Sequence, residues 1–599
     1  MKSVSYASLD ENLLSRHYLL MPATPTEDGP CFVGVDVGTG STRAAIINAH
    51  GDILGLHVQP IQTWHPRHDI YQQSSADIWS SVCVAVRSAL TASNLPATRV
   101  RGIGFDATCS LVVLDAGHAP VSVDKDSAFA ENDQDVILWA DHRAAEQADR
   151  INATQHTVLS YVGGAVSLEM EVPKILWLKE NAPREHWDRV AHLFDLPDFL
   201  TFRATGSLAR SACSLTCKCS FVPPGVEGSK GWDDSFFDTI GLSEFVQERY
   251  RRIGGVPGEN GEVLFAGDVV GNGLAKNAAE EMGLVEGTPV GSAVIDAYAG
   301  AIATLGAGGR EEAQEGSVVQ RGANRLAIIC GTSSCHIAMS PRPIFVPGVW
   351  GPYLSVLVPS MWCAEGGQSS TGQLIDHTLT THPSISEARS QAASQNLDIY
   401  TFLNIRLAHL RTVRHLPHLE LLTTHLHIYP DFHGNRSPLA DPTLRGTVSG
   451  LSLDTSVDDL ALRYYATLQA IACQTRHILE SLNKQGYTLD TLCLSGGLCR
   501  NPLFLSLHAD VTRCRVVLPR SIEGAVVVGA AFLGAKAATA AEGKREELWD
   551  VMVRMGQAGE VVEPTRVSEV VELNERRYRV FRKMLEDQRK YRAIMEGRA

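Results

Sequence analysis

Two stretches of the chain share one pattern of apolar and polar positions. Residues 32–48 (FVGVDVGTGSTRAAIIN) and residues 324–345 (NRLAIICGTSSCHIAMSPRPIF) each contain an apolar run, a Gly-Thr turn and a second apolar run. Apolar runs on both sides of a short glycine-containing turn predict a β-hairpin. We therefore expect a hairpin near the start of each half of the chain.

Each half also ends in a predicted helix of small residues. Residues 296–307 (DAYAGAIATLGA) and residues 522–538 (IEGAVVVGAAFLGAKAA) are rich in Ala and Gly, and both contain Leu-Gly-Ala. Such helices can pack closely on their neighbours. Hairpin and helix together form a weak internal repeat with a period far longer than that of a solenoid. The repeat predicts two similar α/β domains that face each other across a cleft.

The pattern divides the chain into five parts. We expect a leader at residues 1–30, a first domain at 31–307, an exposed polar loop at 308–322 and a second domain at 323–540. The remaining segment, 541–599, is strongly charged with apolar residues at helical spacing, which predicts a terminal helix.

Shorter segments add further elements. Residues 99–115 predict two strands joined by a turn, and 136–152 predict a short strand that leads into a helix. The segment VPKILWLKEN predicts a helix with Pro173 in its first turn. In 492–504 (LCLSGGLCRNPLF), an apolar strand leads to a helix that begins near Pro502, with Asn501 as its N-cap.

Composition excludes several classes of protein. Of 599 residues, 44% are hydrophobic, which is ordinary for a globular protein. The net charge of −14 argues against nucleic acid or an anionic membrane as a partner. No run of 18 apolar residues predicts a membrane span, and the N-terminus lacks the apolar core of a signal peptide. We therefore expect a cytoplasmic protein.

The cysteines predict reduced thiols. There are 13, an odd number, and their spacing does not match a disulfide framework. Cys213, Cys217 and Cys219 form a cluster, but no second ligand pair follows at zinc spacing. A metal site in this cluster is therefore the weaker interpretation.

The two Gly-Thr turns carry the first candidate chemistry. Glycines let backbone N–H groups approach a phosphate, and hydroxyls add donors. Asp36, within the first apolar run, can hold Mg²⁺ through water. A structural hairpin explains one such turn equally well, but repetition at residues 36–41 and 331–334 favours phosphate binding. No Walker-type phosphate loop is present in the sequence.

Three further positions have both a structural and a functional interpretation. Asp296 follows an apolar strand, so it is either a helix cap or a general base at the cleft. Glu365, in WCAEGGQSSTG, belongs either to a surface turn or to a polyol site. Gly496 and Gly497 form either a plain strand-to-helix turn or a surface for a flat ring.

Together these segments resemble the FGGY family of carbohydrate kinases. The resemblance covers roughly residues 31–540. It rests on the order and spacing of many motifs, among them GVDVGTGSTRAAI, GFDATCSLVVLD, VPKILWLKEN, PVGSAVIDAYAG, CGTSSCHIA, AEGGQSSTG, DFHGNRSPLADP and LSGGLCRNPLF. It implies two RNase H-like α/β domains of the actin, hexokinase and Hsp70 ATPase type around a central cleft. Within the family, the segments are most similar to the ribulokinase branch, in particular to the eukaryotic D-ribulokinases.

The resemblance also implies residue roles. Asp36 and Asp296 are the expected catalytic residues, Asp36 through Mg²⁺ and Asp296 as the base. The expected ATP-binding residues are Gly38, Thr39, Ser41, Gly331, Thr332, Ser333, Gly496, Gly497 and Asn501. The expected sugar-binding residues are Asp296, Lys174 and Glu365, with Thr108 and Asp141 added to the same pocket.

Two positions depart from the family pattern. Gln72 replaces the Glu of a Glu-Gln pair, which leaves the role of Gln73 open. Arg43 stands where many relatives have Lys, and either residue could serve a phosphate.

The implied activity is transfer of a phosphoryl group from ATP, with Mg²⁺, to a ketopentose, D-ribulose first. Alternative substrates are L-ribulose, D-xylulose, ribitol and sedoheptulose. A non-catalytic, nucleotide-dependent binding protein on the same fold is a second alternative, because fold does not fix function. The expected partners are the sugar and ATP. The oligomeric state stays open, a homodimer included.

Overall fold

The computed structural model describes residues 29–226, 228–308, 317–556 and 558–598. The strands, numbered in chain order, are β1 (Cys31–Val37), β2 (Ser41–Asn48), β3 (Ile53–Pro60), β4 (Thr63–Arg67), β5 (Ile70–Gln73), β6 (Val100–Ala107), β7 (Leu111–Asp115), β8 (Val136–Ile137), β9 (Val190–Asp195), β10 (Arg210–Ser211), β11 (Val263–Leu264), β12 (Val290–Ile295), β13 (Arg325–Cys330), β14 (Ser334–Ser340), β15 (Trp350–Leu354), β16 (Trp362–Gln368), β17 (His427–Tyr429), β18 (Thr447–Ser449), β19 (Thr491–Ser495), β20 (Arg515–Pro519) and β21 (Ala558–Val562).

The α-helices are numbered in the same way. They are α1 (Ser75–Ser93), α2 (Ala145–Ala153), α3 (Glu171–Asn181), α4 (Arg184–Arg189), α5 (Leu196–Thr205), α6 (Ala212–Lys218), α7 (Asp234–Thr239), α8 (Ser243–Gln247), α9 (Lys276–Met282), α10 (Asp296–Leu305), α11 (Val318–Gly322), α12 (Gly372–Thr380), α13 (Ile385–Ser394), α14 (Ile399–Val413), α15 (Val457–Lys484), α16 (Pro502–Thr512), α17 (Ala525–Ala541), α18 (Leu548–Met555) and α19 (Ser568–Met595). None of the helices within the described ranges is both long and apolar enough to cross a membrane.

The two large sheets share one topology. The first has the order β3-β2-β1-β6-β12, with β1, β6 and β12 parallel and β2 antiparallel to both neighbours. The second contains β16-β14-β13-β19-β20 with the same pattern of directions, extended by β15 and β21. Both predicted hairpins, β1-β2 and β13-β14, are confirmed and hold equivalent places in the two sheets.

Each predicted small-residue helix, α10 and α17, lies against its neighbours at backbone distance. Gly529 of α17 lies so close to α10 that a Cβ added there would overlap the carbonyl oxygen of Ala299. On another side of α17, Gly34 of β1 and Gly104 of β6 meet the carbonyl oxygens of Val527 and Ala530 in the same way. Glycine is required at these positions because no larger residue leaves room for the approach.

A third sheet extends the first half of the chain. Its order is β4-β5-β8-β7-β9. The strands β6 and β7 confirm the strand-turn-strand prediction for 99–115, but they belong to different sheets and do not pair with each other. Helix α3 contains Pro173 in its first turn, as predicted.

Two predictions about the connecting and terminal segments need correction. The predicted loop 308–322 contains a short helix, α11, which begins with a capping box at Ser317 and Gln320, while 309–316 lie outside the described residues. The tail contains the expected long helix α19, but also α18 and the strand β21, which pairs with β20. The five residues of β21 are too few to show a periodic pattern, so the sequence did not predict this strand. Its pairing with β20 is visible only in the folded chain. Of the predicted leader, residues 1–28 lie outside the described part.

The close contact of α10 and α17 predicts a strict size limit at Gly529. Gly529→Ala places a methyl group against the carbonyl of Ala299. Overpacking of this kind costs about 1–3 kcal/mol. We expect a lower thermal unfolding midpoint in differential scanning fluorimetry. The control is Ala540→Ser at an exposed position of the same helix. An unchanged midpoint for Gly529→Ala would contradict the close packing.

Candidate active site

Three carboxylates lie at the ends of three adjacent parallel strands. Asp36 is near the end of β1, Asp106 is directly opposite it in β6, and Asp296 follows β12 on the other side of β6. The carboxyl ends of parallel strands form one edge of a sheet, which is where α/β proteins place their ligands. Sequence reasoning identified Asp36, beside a Gly-Thr turn, and Asp296, before a small-residue helix, but missed Asp106, whose place opposite Asp36 depends on strand pairing.

Burial and mutual repulsion raise the pKa values of these carboxyls. Burial raises the pKa of Asp106 well above its usual value, and the charges of Asp36 and Asp296 add to the effect. Burial also raises the pKa of Asp36, although Arg43 opposes this with an ion pair of 2.9 Å between Nη1 and Oδ2. Arg43 is the residue that departs from the family's Lys, and here it partly neutralises this cluster.

Asp296 is the member of the cluster that is partly exposed. It is the first residue of α10, and its Oδ1 accepts a hydrogen bond of 2.7 Å from the backbone N–H of Ala297. Burial, followed by the charge of Asp36, raises the pKa of Asp296 to about 7. A carboxylate with a pKa near neutrality is a better proton acceptor than an ordinary Asp and still ionises at physiological pH.

Residues in and next to the third sheet hold the first Gly-Thr turn by hydrogen bonds. The backbone N–H of Gly38 donates to the carbonyl of Ser41 at 3.0 Å, and Thr39 is exposed at the tip. Gln73 Nε2 donates to the carbonyl of Thr39 at 2.8 Å, and Trp139 Nε1 donates to its hydroxyl at 3.0 Å. Gln73 therefore supports the turn, which answers the question that the sequence left open.

The second Gly-Thr turn joins two other segments. The N–H of Gly331 donates to the carbonyl of Ser333 at 2.9 Å, and Thr332 is exposed. The N–H groups of Thr371 and Gly372, which precede and begin α12, donate to the carbonyls of Thr332 and Gly331. Sequence reasoning did not select this helix start, because its contact with the turn depends on the fold.

The predicted adenosine segment lies beside this second turn. Gly496 has φ of +97° and lies against the backbone of Cys330, so that a Cβ there would overlap its carbonyl oxygen. Gly497 is exposed, with open space around its Cα. Asn501 caps α16, as predicted, by accepting from the N–H of Leu503, and it donates to Tyr464 Oη at 2.6 Å. The structure thus brings Gly331, Gly496 and their neighbours together.

Near Asp296 lies a polar cluster centred on the buried Glu365. Glu365 accepts from Arg436 Nη2 at 2.7 Å and from Tyr298 Oη at 3.2 Å. Arg436 also approaches Glu169, with 3.7 Å between Nη2 and Oε2. Burial alone would raise the pKa of Glu169, but Arg436 and nearby lysines hold it below its usual value. Arg436 and Glu169 were not among the predicted site residues.

Lys218 is the most informative residue that sequence reasoning missed. Its side chain is 2% exposed, and its Nζ lies 4.8 Å from the ring centre of Trp350. Among the described residues its ammonium group makes no hydrogen bond or ion pair, although Glu365 and Glu169 are near enough to affect its pKa. A buried ammonium without a bonded partner is costly unless a ligand supplies one. The signal in the sequence was the segment CSLTCKCSF, which we examined only for metal ligands.

Lys174 and Asp141 have partners within the protein, and their sugar contacts stay predictions. Lys174 is fully buried in α3 and donates to the carbonyl of Leu138 at 2.9 Å. Asp141 is also fully buried; its oxygens accept from Arg143 and from the backbone N–H of Tyr71 at 2.7–3.0 Å. Thr108 follows β6 near the carboxylates, and its sugar contact stays a prediction.

The carboxylates suit Mg²⁺ held through water. No group of three or more His, Cys, Asp or Glu side chains in the described ranges has the geometry of a full metal site. Mg²⁺ commonly keeps several waters and binds one or two carboxylates together with substrate phosphates. Asp36, near the end of β1, fits that mode, whereas the raised pKa of the fully buried Asp106 favours its neutral form.

Two sets of groups therefore lie near Asp296. The turns Gly38–Ser41, Gly331–Ser333 and Gly496–Gly497 offer backbone N–H groups and hydroxyls at partly or fully exposed positions, which suits phosphates. A set of charged groups suited to a polyol consists of Glu365 and Lys218, which are buried, and Arg436 and Glu169, which are partly buried. A base between a phosphate site and a polyol site is the arrangement that phosphoryl transfer to an alcohol needs.

Comparison with solved structures supports the same fold. A xylulose kinase from Rhodospirillum rubrum matches with a TM-score of 0.69 at 20% identity, over 94% of this chain and 99% of that one. A glycerol kinase from Plasmodium falciparum, solved with ADP, matches with a TM-score of 0.66 at 14% identity, over 94% and 98%. Both likenesses concern the two-domain sugar kinase fold, which is the fold that the sequence predicted.

Comparison with known sequences gives the family. An FGGY carbohydrate kinase domain-containing protein of Homo sapiens is 47% identical over 566 residues, covering 94% of this chain and 98% of that protein. A D-ribulokinase of Saccharomyces cerevisiae is 44% identical over 549 residues, covering 90% and 76%. The N-terminal and C-terminal domains of the FGGY family of carbohydrate kinases match residues 31–303 and 326–538. The chain belongs to this family of ATP-dependent sugar phosphotransferases.

Proposed function

We propose that the chain transfers the γ-phosphoryl group of ATP to the terminal hydroxyl of D-ribulose, forming D-ribulose 5-phosphate and ADP. The observation that carries the proposal is the position of Asp296, which is close enough to Asp36 on one hairpin and to Lys218 and Glu365 in the polar cluster for all three charges to act on its pKa. The choice of sugar rests on the relative named as a D-ribulokinase.

In the proposed reaction Asp296 accepts the proton of the sugar hydroxyl as its oxygen attacks the γ-phosphorus. The bond from that phosphorus to the ADP oxygen breaks, and ADP leaves with the electron pair. An alcohol is a poor nucleophile at neutral pH, and a positioned base typically contributes about 10²–10⁴-fold. When bound, Mg²⁺ supplies charge neutralisation to the phosphates.

The remaining residues of the proposed site position the two substrates and discriminate between sugars. Glu365 and Glu169 can accept from sugar hydroxyls, and Lys218 can donate to a hydroxyl or to the keto oxygen. Exposed donors at Thr39 and Thr332 can hold phosphate oxygens. A sugar of the wrong stereochemistry would leave buried polar groups without a hydrogen-bond partner, which is strongly unfavourable. This pocket is therefore suited to select between stereoisomers.

The experiment that tests the proposed substrate is a coupled ADP-release assay with Mg-ATP. The panel is D-ribulose, L-ribulose, D-xylulose, ribitol, sedoheptulose and glycerol. We expect kcat/KM for D-ribulose to exceed every other value at least tenfold, an order-of-magnitude margin that one well-placed hydrogen bond can supply. Preferred turnover of another polyol would replace the substrate and keep the kinase.

Replacement of the base should separate chemistry from folding. We expect Asp296→Asn to lower kcat by about 10²–10⁴-fold, because amide oxygen is a very weak proton acceptor. The thermal unfolding midpoint should not fall, since the exchange removes a charge from a crowded cluster. Asp188→Asn, at an exposed carboxylate of α4, is the matched control. A variant that keeps most of its kcat would show that Asp296 is not the base.

The two buried lysines should behave in opposite ways. We expect Lys218→Met to raise the KM for the sugar about 10- to 100-fold, the equivalent of one charged hydrogen bond, with the KM for ATP unchanged. Lys174→Met should leave both KM values within about twofold and lower the thermal midpoint, because the carbonyl of Leu138 loses its donor. The reverse pattern would place Lys174 in the sugar site.

A further inference from the structure

The segment that carries Arg436 has little regular structure of its own. Residues 427–449 contain two strands, β17 and β18, of three residues each. These strands pair with each other and with no third strand within the described ranges. A two-stranded hairpin is at best marginally stable in water unless it packs on another element. The position of Arg436 therefore depends on what this segment packs against.

A short series of hydrogen bonds connects Arg436 to a later part of its segment. The backbone N–H of Asn435, the residue before it, donates to the carbonyl of Asp441 at 2.9 Å. The side chain of Asn435 donates to Asp431 Oδ2 at 2.8 Å and accepts from the N–H of Leu439 at 2.9 Å. These residues form one bonded unit with Arg436 in its middle.

Helix α19 contacts both ends of the segment. The ring centres of Phe581 and Tyr429 lie 5.0 Å apart, which joins the helix to β17. Gln588 Oε1 accepts from the backbone N–H of Arg445 at 3.0 Å. Gln588 Nε2 donates to the carbonyl of Arg445 and, at 3.0 Å, to Thr447 Oγ1 in β18. One side chain of α19 thus bonds to both backbone groups of Arg445.

Arg592 of the same helix bonds to the part of the segment that reaches Asn435. Its Nη2 donates to the carbonyl of Thr443 at 2.8 Å, and its Nη1 donates to the hydroxyl of Thr443 at 2.5 Å. Arg592 Nη1 also lies 3.4 Å from Asp441 Oδ2. Because the carbonyl of Asp441 accepts from Asn435, a continuous series of bonds leads from Arg592 to the residue next to Arg436.

The three contacting residues lie on one face of α19. Positions 588 and 592 follow Phe581 by seven and eleven residues, which is close to two and three helical turns. Among the described hydrogen bonds, those that residues 441–447 make outside their own segment go to Gln588 and Arg592. Loss of these two side chains would therefore release residues 441–447 from α19.

We propose that Gln588 and Arg592 are positioning residues of the sugar site, which act by holding the segment that brings Arg436 to Glu365. Arg436 Nη2 lies 2.7 Å from Glu365 in the second half of the chain and 3.7 Å from Glu169 in the first half. A displacement of the segment would therefore change the polar cluster on both sides. This role rests on the proposed function, because it concerns the affinity for the sugar.

Steady-state kinetics of the double variant Gln588→Leu/Arg592→Met tests this role. The sugar is the polyol that the wild type turns over best, so a different substrate from D-ribulose does not affect the test. We expect the KM for the sugar to rise about 5- to 50-fold, up to the loss of one hydrogen bond to a charged group, with the KM for ATP within about twofold. An unchanged KM for the sugar, or an equal rise of both KM values, overturns the role. Absence of sugar turnover in the wild type would instead refute the proposed function, and this role with it.

Two further variants serve as controls. Lys590→Met, at an exposed position of α19, removes one positive charge as Arg592→Met does and should keep both KM values. Arg592→Lys should lie between the wild type and Arg592→Met, because an ammonium group can still donate to the carbonyl of Thr443. If the double variant does not fold, Arg592→Met alone should raise the KM for the sugar in the same direction, and an unchanged value overturns the role.

Limited proteolysis of the full chain with trypsin tests the contact without any activity. Arg445 is exposed, but its backbone N–H and carbonyl are bonded to Gln588, and cleavage requires local opening of the backbone. We expect cleavage after Arg445 to be at least about fivefold faster in the double variant, the equivalent of one lost hydrogen bond, and unchanged in Lys590→Met. The mass of the fragment that begins at Gly446 identifies the site. Equal rates in the wild type and the double variant overturn the role.

Discussion

The active site depends on the close contact of two helices made of small residues. Gly529 of α17 lies against the carbonyl of Ala299 in α10, and Gly34 and Gly104 bring α17 onto the first sheet. On its other side α10 meets the second sheet, where Gly300 lies against Ile329. Asp296 is the first residue of α10, so this packing sets its place relative to Asp36 and to the second Gly-Thr turn. A larger residue in the contact would overlap the neighbouring backbone, so the helices would have to move apart and Asp296 would shift.

The repeated topology places an exposed Gly-Thr turn at the equivalent position of each large sheet. In each sheet a β-hairpin leads into parallel strands, and the turn of each hairpin is exposed where the strands end. Two equivalent turns can therefore face the same phosphates. The polar cluster near Asp296 draws on both halves: the first half carries Lys218 and Glu169, and the second carries Glu365 and Arg436. Glu365 lies on β16, a strand of the repeated sheet, whereas the other three lie outside the repeated strands, so the cluster has no equivalent that the repeat alone would produce.

Charge is concentrated where the reaction needs it and compensated elsewhere. Three Asp side chains lie at one sheet edge, with Arg43 as their one ion-pair partner among the described residues. Burial, followed by the charge of Asp36, raises the pKa of Asp296 to about 7. In the polyol pocket, Lys218 and Arg436 offset Glu365 and Glu169. The excess negative charge of the Asp cluster is suited to a cation and to accepting a proton. The balanced charges around Glu365 are suited to neutral hydroxyls.

The sequence by itself determined the elements that short-range patterns encode. Both hairpins, the small-residue helices, the cap at Asn501 and the carboxylates Asp36 and Asp296 follow from periodicity, turn chemistry and motif order. Only the tertiary structure decided which polar side chains meet. Lys174 and Lys218 are both buried in short helices, but one bonds to the carbonyl of Leu138 and the other faces Glu365. The same is true of Asp106, Gln73 and β21, whose partners lie far away in the chain. Spacing along a sequence records local geometry, whereas the partner of a buried charge depends on long-range packing.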